Sequence, residues 1–505
     1  MEDSTSSHLL SLSNSADESQ LPLPENRLPS LGSTVEHCLS EFNLSQFLQA
    51  LLVSFAWIFD AQQTFITVFT DAQPPPSSPA GHGGSSYSST ISEWHLNPED
   101  PILTGLPASS FFIGCLLGGL VLSTLADTSL GRKNMLFYSC LLMSLTSFLA
   151  ASSPNLWVYS CLKFLSGFGR ATIGTSSLVL ATELVGKRWR YKMGITGFFC
   201  FTFGFLSLAP LAYLNRNSSW RYLYLYTSIP TILYSVLVKF LVRESPRWLL
   251  VRGRKEEALN TLRCIASISH SSLNLAISKV CETEESSDDN MDLFSALKVL
   301  MQKQWASRRI SAVMVMGFGI GVVYYGMPLG LGTLSFNLYL SVTFNALSEL
   351  PASLLTLILI DKFNRRSSIW VFTIISGIFS LLSVMELGET WSKLEIGFES
   401  VSFFSACTAS NIYLLYTTEL FPTCVRNSAL AMARQAVVLG GAVSPVLVAA
   451  GRRNKFWCYG VFGLVIWLSG VFVVLLPETK GRALCDTVEE EEEGRQKLIS
   501  SDMLA

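Results

Sequence analysis

The chain has 505 residues, of which 49% are hydrophobic and 15% are charged, and its mean hydropathy is +0.39. A soluble globule of this length would need more polar surface than this composition supplies, so the composition predicts a membrane protein. The formal net charge of −2 lacks the basic excess that nucleic-acid binding requires, which argues against that class of partner.

The N-terminal segment, residues 1–45, is rich in Ser, Leu and Pro and has neither a basic start nor an apolar centre. It is therefore predicted to be a disordered cytosolic tail and not a cleavable signal peptide. The eleven cysteines fall mostly within apolar stretches without metal-ligand spacing, and the stretch 71–103 contains none. We therefore expect neither disulfides nor a metal site, and no cofactor.

Apolar stretches of about twenty residues, the length that crosses a bilayer as a helix, recur along the chain. There are twelve of them, which predicts an all-α integral membrane fold with twelve transmembrane helices. The predicted spans are 46–70, 104–126, 134–152, 156–182, 192–214, 221–242, 309–328, 334–360, 368–386, 396–418, 428–450 and 456–476.

Basic residues set the predicted orientation. Lys and Arg are absent from the stretch 71–103, which places that loop outside the cytosol and both termini inside it. Three basic residues do not fit this orientation, because they would lie on the outer side of the membrane. They are Arg452, Arg453 and Lys455. The segments where basic residues gather are 131–133, 187–192, 243–263, 302–309, 362–366 and 480–482.

The predicted organisation joins an N-terminal six-helix half, 46–242, to a C-terminal half, 309–476, through a cytosolic linker, 243–308. Within the linker, the stretch 254–263 has the spacing of an amphipathic surface helix, and an acidic run follows. The linker is interpreted as a solvated tether, with a phosphorylation-tuned gate as the alternative. Residues 477–505 are predicted to be a cytosolic tail.

The chain repeats two charged motifs at an offset of about 235 positions. Two apolar halves with matching charges are typical of a duplicated membrane transporter built from parallel repeats. We interpret these charges as latches that gate the cytosolic face, with topology-setting charge as the alternative. The residues are Asp127, Arg132, Glu183 and Arg190 in the first half, and Asp361, Arg365, Glu419 and Arg426 in the second.

Five ionisable residues stand out in the middle of predicted spans, where each costs about 2.5–3.5 kcal/mol at the helix centre and needs a partner or water. Asp60 lies about fourteen residues into the first span, or about 21 Å at 1.5 Å per residue. This depth matches that of Lys163 and Arg170 in the fourth span. The other two are Glu349 and Arg434.

Five motifs give the chain a family resemblance: LADTSLGRK (125–133), ESPRWL (244–249), VYYGM (323–327), ALSELPA (346–352) and LPETKG (476–481). With these motifs in register over about residues 45–482, the chain resembles the organic cation/carnitine transporters of the major facilitator superfamily, especially their plant branch. The resemblance implies the major facilitator fold, transport by alternating access, and a small organic cation or zwitterion as substrate. The stretch EWHLN (93–97) departs from the family pattern, so no role of that loop is carried over.

The resemblance also implies a substrate pocket at the membrane midplane between the halves. Glu349 would supply the countercharge to a cation, and aromatic residues would face a quaternary ammonium group through cation–π contacts. Arg434 would suit the carboxylate of a zwitterion such as carnitine. The two other acidic positions of the family hold Asn411 and Val438 here. The aromatic residues are Tyr324, Tyr325 and Phe201.

Resemblance to proton-coupled sugar transporters makes Asp60 the candidate proton site, with Lys163 or Arg170 as its partner. A static ion pair that holds the helices together is the alternative. Secondary active and facilitative transport both stay open, as do the plasma membrane and the vacuolar membrane as locations.

Two functions other than cation transport agree with parts of the sequence. A sugar or polyol proton symporter shares the Glu-to-Arg pairs and LPETKG, and a sensor that no longer transports would keep the pocket. An enzyme is not expected, because none of the five histidines lies in a predicted span, where a catalytic base or metal ligand would be needed. Asn217 precedes Ser218 and Ser219, which makes it a candidate glycosylation site.

Overall fold

The computed structural model describes residues 36, 39–40, 42–72, 89–98, 100–125, 130–265, 301–334, 336–385, 392–480 and 489–492. Within these ranges the regular structure is helical, and we number the long helices spans 1–12 in chain order. They are Leu44–Thr70 (span 1), Pro101–Leu125 (span 2), Arg132–Ala150 (span 3), Leu156–Arg170 with Ile173–Glu183 (span 4), Lys187–Leu214 (span 5), Trp220–Leu241 (span 6), Gln304–Gly330 (span 7), Leu338–Lys362 (span 8), Arg365–Leu382 (span 9), Ser392–Leu420 (span 10), Thr423–Gly451 (span 11) and Lys455–Leu475 (span 12).

Eight of these helices are long and apolar enough to cross a membrane by length and hydropathy alone. The other four, spans 3, 4, 9 and 10, are interrupted or carry many hydroxyl and charged side chains. Their hydroxyl groups face protein neighbours: Ser147 lies 2.9 Å from Ser166, and Ser376 lies 3.2 Å from Ser402. Small polar residues allow helices to pack closely in a bilayer, so one face of each of these spans packs on its neighbours, while large side chains such as Tyr138 of span 3 and Trp370 of span 9 are exposed on another face.

The observed helices extend several predicted spans at the ends that carry basic residues. Span 5 begins at Lys187 instead of 192, and span 11 begins at Thr423 instead of 428. A hydropathy pattern stops where charges begin, but helical hydrogen bonding continues through the charged turn at the membrane surface. In the linker, Lys255–Ile265 forms a helix over the stretch predicted to be amphipathic, and the acidic run after it lies outside the described residues.

Each half repeats the same helix pairings. Span 2 packs on span 4 and span 3 on span 6, as span 8 packs on span 10 and span 9 on span 12. The halves meet where span 2 contacts span 11 and where span 5 contacts span 8. These two interfaces are equivalent, because span 2 corresponds to span 8 and span 5 to span 11 in the repeat. Spans 2 and 4 approach closely through glycine, because a Cβ at Gly114 would overlap the carbonyl oxygen of Phe164, and one at Gly167 would overlap that of Phe111.

The bundle has two ends, which we call the basic face, where spans 3 and 9 begin, and the loop face, where span 1 ends. Contacts between the halves close the loop face. The ring of Phe69 stacks on Tyr339 with 5.7 Å between centroids, and Arg452 donates to the carbonyl oxygen of Asp71 at 3.0 Å. Arg452 is one of the basic residues that did not fit the predicted orientation, and in the structure it forms a contact between the two halves.

The described part of the first loop packs on the loop face. Trp220 donates from Nε1 to Glu93 at 2.7 Å, and Arg221 forms an ion pair with the same carboxylate at 2.5 Å. Asn217 lies exposed in the turn between spans 5 and 6 at this face. Its side chain is therefore accessible, and its glycosylation stays a prediction.

Candidate functional site

A cavity of about 240 Å³ lies between the two halves near the middle of the spans. Its walls continue toward the basic face as far as Leu178 of span 4 and Leu414 of span 10, whereas the loop face is closed above it. All the predicted substrate residues line it, together with two of the three predicted proton-site residues. These are Tyr324, Tyr325, Glu349, Asn411, Arg434 and Phe201, with Asp60 and Arg170.

Glu349 is the carboxylate of this cavity that lies in the second half. It stands two residues before Pro351 in span 8, and only 5% of its surface is exposed. The Tyr324 hydroxyl donates to its Oε1 at 3.0 Å, and the Thr202 hydroxyl, from the first half, donates to its Oε2 at 3.2 Å. No cation pairs with it among the described residues, so its charge is balanced only by neutral donors.

Arg434 brings the opposite charge to the same cavity from span 11. Its Nε is buried without a hydrogen-bond acceptor, and among the described residues it forms no ion pair. A guanidinium group left in this state is costly in a membrane interior. Besides the paired Asp60 and Arg170, the cavity therefore presents one acidic and one basic group for which the described residues supply no ion-pair partner.

Aromatic rings surround these charges. Tyr324 lies 5.1 Å from Tyr325 and 6.0 Å from Phe403 between ring centroids. On the opposite wall Phe201 meets Trp57 edge to face at 6.0 Å. Sequence reasoning missed Trp57, although its position three residues before Asp60 places both on one face of the helix. Tryptophan is the strongest cation–π ring, so this wall suits a cationic group.

Asp60 and Arg170 form a two-point ion pair across spans 1 and 4. Arg170 donates from Nε to Oδ1 at 2.7 Å and from Nη2 to Oδ2 at 3.2 Å. Lys163, the other candidate partner, lies seven residues earlier on span 4, nearer the loop face, with its Nζ 4.5 Å from the Phe111 ring centroid. Two turns of helix separate the two cations, so only Arg170 reaches the carboxylate.

At the basic face, the repeated charges form one ion pair in each half. Arg132 pairs with Glu183 at 4.0 Å, and Arg365 pairs with Glu419 at 3.3 Å. The third repeated residue of each half is engaged elsewhere. Arg190 pairs with Glu36, which precedes span 1, and Arg426 donates to the carbonyl oxygen of Phe421 at 3.3 Å. Asp127 and the side chain of Asp361 lie outside the described residues.

The structure shows a further contact, repeated at helix ends within each half, that was not predicted from the sequence. Glu244 accepts hydrogen bonds from the backbone N–H groups that begin span 3, at 3.0 Å from Arg132, and Glu478 accepts those that begin span 9, at 3.0 Å from Arg365. A carboxylate at a helix N-terminus satisfies unpaired donors and complements the helix dipole. Burial raises the pKa of Glu244, while the donated backbone hydrogen bonds act in the opposite direction. The motifs ESPRWL and LPETKG thus have the same structural role.

Gly131 makes the first of these caps possible. Its φ of +80° is left-handed, and a Cβ there would overlap the Glu244 carboxylate. Only glycine combines this backbone with that approach at low cost.

Three buried acids escaped the sequence analysis: Asp71, Glu395 and Glu399. Asp71 and Glu395 lie just beyond the predicted ends of spans 1 and 10, and Glu399 lies near the start of span 10. Hydropathy cannot tell a charged residue at a lipid-exposed helix end from one enclosed by neighbouring helices. The signal that could have found Glu399 is its place inside a predicted span.

Two repeated six-helix halves, a central cavity with unneutralised charges, and ion pairs at the helix ends of one face define this protein as a multi-pass membrane transporter. The family model described as Sugar (and other) transporter matches residues 63–490. The chain is 56% identical to organic cation/carnitine transporter 3 of Arabidopsis thaliana over 96% of each chain. It is 31% identical to human organic cation/carnitine transporter 2 over 80% of this chain and 72% of that protein. The chain belongs to the organic cation/carnitine transporters of the major facilitator superfamily, as the resemblance predicted.

Solved structures confirm the predicted fold class. The inward-open xylose transporter XylE from E. coli is similar with a TM-score of 0.64 and 19% identity, over 87% of this chain and 98% of that one. The proton:xylose symporter XylE bound to a brominated glucose derivative is similar with a TM-score of 0.63 and 22% identity. At these identities the likeness shows the fold, which is the major facilitator fold of twelve helices in two halves.

Proposed function

We propose that the protein moves small organic cations and zwitterions, such as carnitine, across its membrane by alternating access. The observation that carries this proposal is the presence of Glu349 and Arg434 in one cavity, without ion-pair partners among the described residues. An ammonium group next to Glu349 and a carboxylate next to Arg434 would each replace lost hydration with an opposite charge. The names of the relatives, which include carnitine and organic cations, agree with this chemistry.

The walls of the cavity add to the proposal. A cation–π contact is worth about 2 kcal/mol or more when the cation is desolvated, and Trp57, Tyr324 and Tyr325 all line the cavity. A volume of about 240 Å³ lies below the ≈ 300–1,000 Å³ of drug-sized ligand pockets, which favours a small substrate.

The test is uptake of labelled carnitine, choline and a polyamine into proteoliposomes that contain the full-length protein. Voltage and pH gradients are imposed separately, because one charge moved through 100 mV contributes about 2.3 kcal/mol and can concentrate a cation without ion coupling. We expect choline and carnitine uptake well above protein-free vesicles. Uptake of a sugar or polyol with no movement of any cation would establish the symporter alternative, and binding without movement would establish a sensor.

Asp60 and Arg170 are our proposed proton-coupling pair. Both line the cavity that holds the proposed substrate residues, so substrate entry and protonation of Asp60 act on one enclosed space. Arg170 also lies 5.9 Å from the ring of Tyr325, which connects the pair to the second half. A carboxylate stabilised by a guanidinium group and destabilised by burial can change protonation when the site opens to water.

The ion pairs at the basic face are our proposed gate. Each joins the beginning of one span to the end of another within a half, where a partly wet pair can form and break at modest cost. By the distribution of basic residues this face is cytosolic, with both termini on that side, in either the plasma membrane or the vacuolar membrane.

Glu419→Gln is expected to slow substrate exchange several-fold and to leave equilibrium binding nearly unchanged. The variant weakens the pairing with Arg365 and the hydrogen bond from the Thr479 hydroxyl at 2.6 Å, and neither partner lines the cavity. A change of about 1 kcal/mol in a conformational equilibrium alters populations roughly fivefold. Exchange rate and binding are measured in the same preparation, with Glu257→Gln as the control, because Glu257 pairs with Arg254 on the exposed linker helix. Lost binding with unchanged exchange would contradict the gating role.

A further inference from the structure

Glu399 is a second intramembrane carboxylate, separate from the central cavity. It lies in span 10 and is fully buried. Its Oε1 accepts a hydrogen bond from the Asn345 side-chain amide of span 8 at 2.9 Å, and its Oε2 has no hydrogen-bond partner in the part of the chain that the structure describes. Among the described residues it forms no ion pair.

Asn345 is also fully buried, and no described residue donates a hydrogen bond to its Oδ1. Two neighbouring buried side chains thus each keep an acceptor oxygen without a hydrogen. One added proton on Glu399 gives the amide oxygen a donor, since a side-chain amide offers a donor on one side and an acceptor on the other. Ionised Glu399 accepts from the amide N–H, and protonated Glu399 donates to the amide carbonyl over the same separation once the amide turns. The pair can therefore hold one hydrogen bond in both protonation states.

The surroundings favour the protonated state. An ionised carboxylate enclosed without a cation costs several kcal/mol. The nearest cation along span 12, Lys455, is already paired with Glu395 at 3.0 Å, and Arg452 of span 11 reaches Asp71 in the other half. Charged residues of span 9 occur only where it begins, at the basic face. The titratable groups that interact with Glu399 are neutral thiols and a hydroxyl: Cys407 of span 10, and Cys458 and Tyr459 of span 12. Of the charged groups on the other packed elements, Glu349 of span 8 and Arg434 of span 11 line the central cavity, and the rest lie near the helix ends.

We propose that Glu399 and Asn345 form a proton-binding site in the second half, distinct from Asp60 and Arg170, which holds a proton while the loop face is closed and releases it when that face opens. Glu399 lies seven residues from the start of span 10, about 10 Å below the loop face. The Glu395–Lys455 pair lies between it and that face. The proposal that this site binds a proton does not depend on the proposed function. The proposal that it releases the proton during transport rests on the proposed function.

Proton binding is tested by infrared spectroscopy of the purified full-length protein in lipid. The measurements use the Glu349→Gln background, because Glu349 also has no cation partner among the described residues and would add its own signal. We expect a carboxylic-acid C=O band at neutral pH that disappears with Glu399→Gln and persists with Glu395→Gln, whose parent carboxylate is ion-paired. If the Glu349→Gln protein shows no such band at neutral pH, the proposal is overturned. This outcome does not depend on any substitution of Glu399. A band that survives Glu399→Gln also overturns the proposal.

The transport part is tested in proteoliposomes with choline. Glutamine imitates the protonated acid, so the rate of substrate exchange in Glu399→Gln should stay within about twofold of wild type. Accumulation of choline driven by a pH gradient should fall at least tenfold. Accumulation that still follows the gradient overturns the role in coupling, even where the infrared band is present. If wild type moves no cation at all, the proposed function fails, and the infrared result decides the proton site independently.

Discussion

Replacing Glu349 with glutamine is expected to weaken apparent affinity for choline and carnitine at least tenfold, or about 1.4 kcal/mol. Glutamine keeps the size of the side chain, its one oxygen can accept from the hydroxyl of Tyr324 or of Thr202, and its amide N–H can donate to the other, so folding should be preserved. What is lost is the negative charge in the cavity, which no cation among the described residues neutralises. The measurement is concentration-dependent uptake in proteoliposomes, with folding checked by thermal unfolding of the purified variant.

Arg434→Gln separates the two ends of a zwitterion. It should reduce carnitine affinity by at least tenfold and leave choline, which has no carboxylate, nearly unaffected. Glu395→Gln serves as the charge-matched control for Glu349→Gln, because Glu395 lies outside the cavity. Unchanged affinity for every cationic substrate in Glu349→Gln would refute the assignment of Glu349, and equal losses for both substrates in Arg434→Gln would refute the pairing with a carboxylate.

Asp60→Asn should abolish accumulation driven by a pH gradient and preserve counterflow exchange. Asparagine imitates the protonated carboxylate permanently, so no proton can be released, while exchange of substrate for substrate needs no net proton movement. The variant replaces the carboxylate that holds Arg170 at 2.7 Å, but Asn retains an oxygen for one of the two hydrogen bonds. Both activities are measured in the same vesicles, so intact exchange is the internal control for folding.

Two outcomes would change this interpretation. Accumulation that still follows the pH gradient in Asp60→Asn would remove Asp60 from coupling. A wild type that responds to voltage but not to pH would make the Asp60–Arg170 pair a structural contact and the protein a potential-driven uniporter.

The positions of the helices follow from sequence because crossing a bilayer imposes a length and an apolar composition that can be read along the chain. Within each half, repeated charges at span ends also indicated which residues belong to the basic face. Their partners were harder to predict. Glu183 and Arg190 are close in sequence, yet Glu183 pairs with Arg132 and Arg190 with Glu36. Pairing depends on which helix ends become neighbours, and that is a property of the packed bundle.

For the cavity, too, some residues could be predicted from the sequence and others could not. Depth along spans 1 and 4 made both Lys163 and Arg170 candidate partners of Asp60, and the structure shows that Arg170 forms the ion pair. Trp57 and Thr202 were missed as cavity residues, because an aromatic or hydroxyl residue in an apolar stretch looks the same whether it faces lipid, protein or substrate. The direction in which each helix turns is set by its contacts with several neighbours.

The sequence by itself determined the class of protein, the number of spans and the charged residues that a membrane would tolerate only with partners. Tertiary structure alone decided that Lys163 lies away from Asp60, that Arg452 joins the two halves and that Glu399 is enclosed beside Asn345. The reason is physical: transfer into a bilayer depends on composition summed along one helix, whereas the state of a buried charge depends on the few atoms that surround it, and most of these come from other helices.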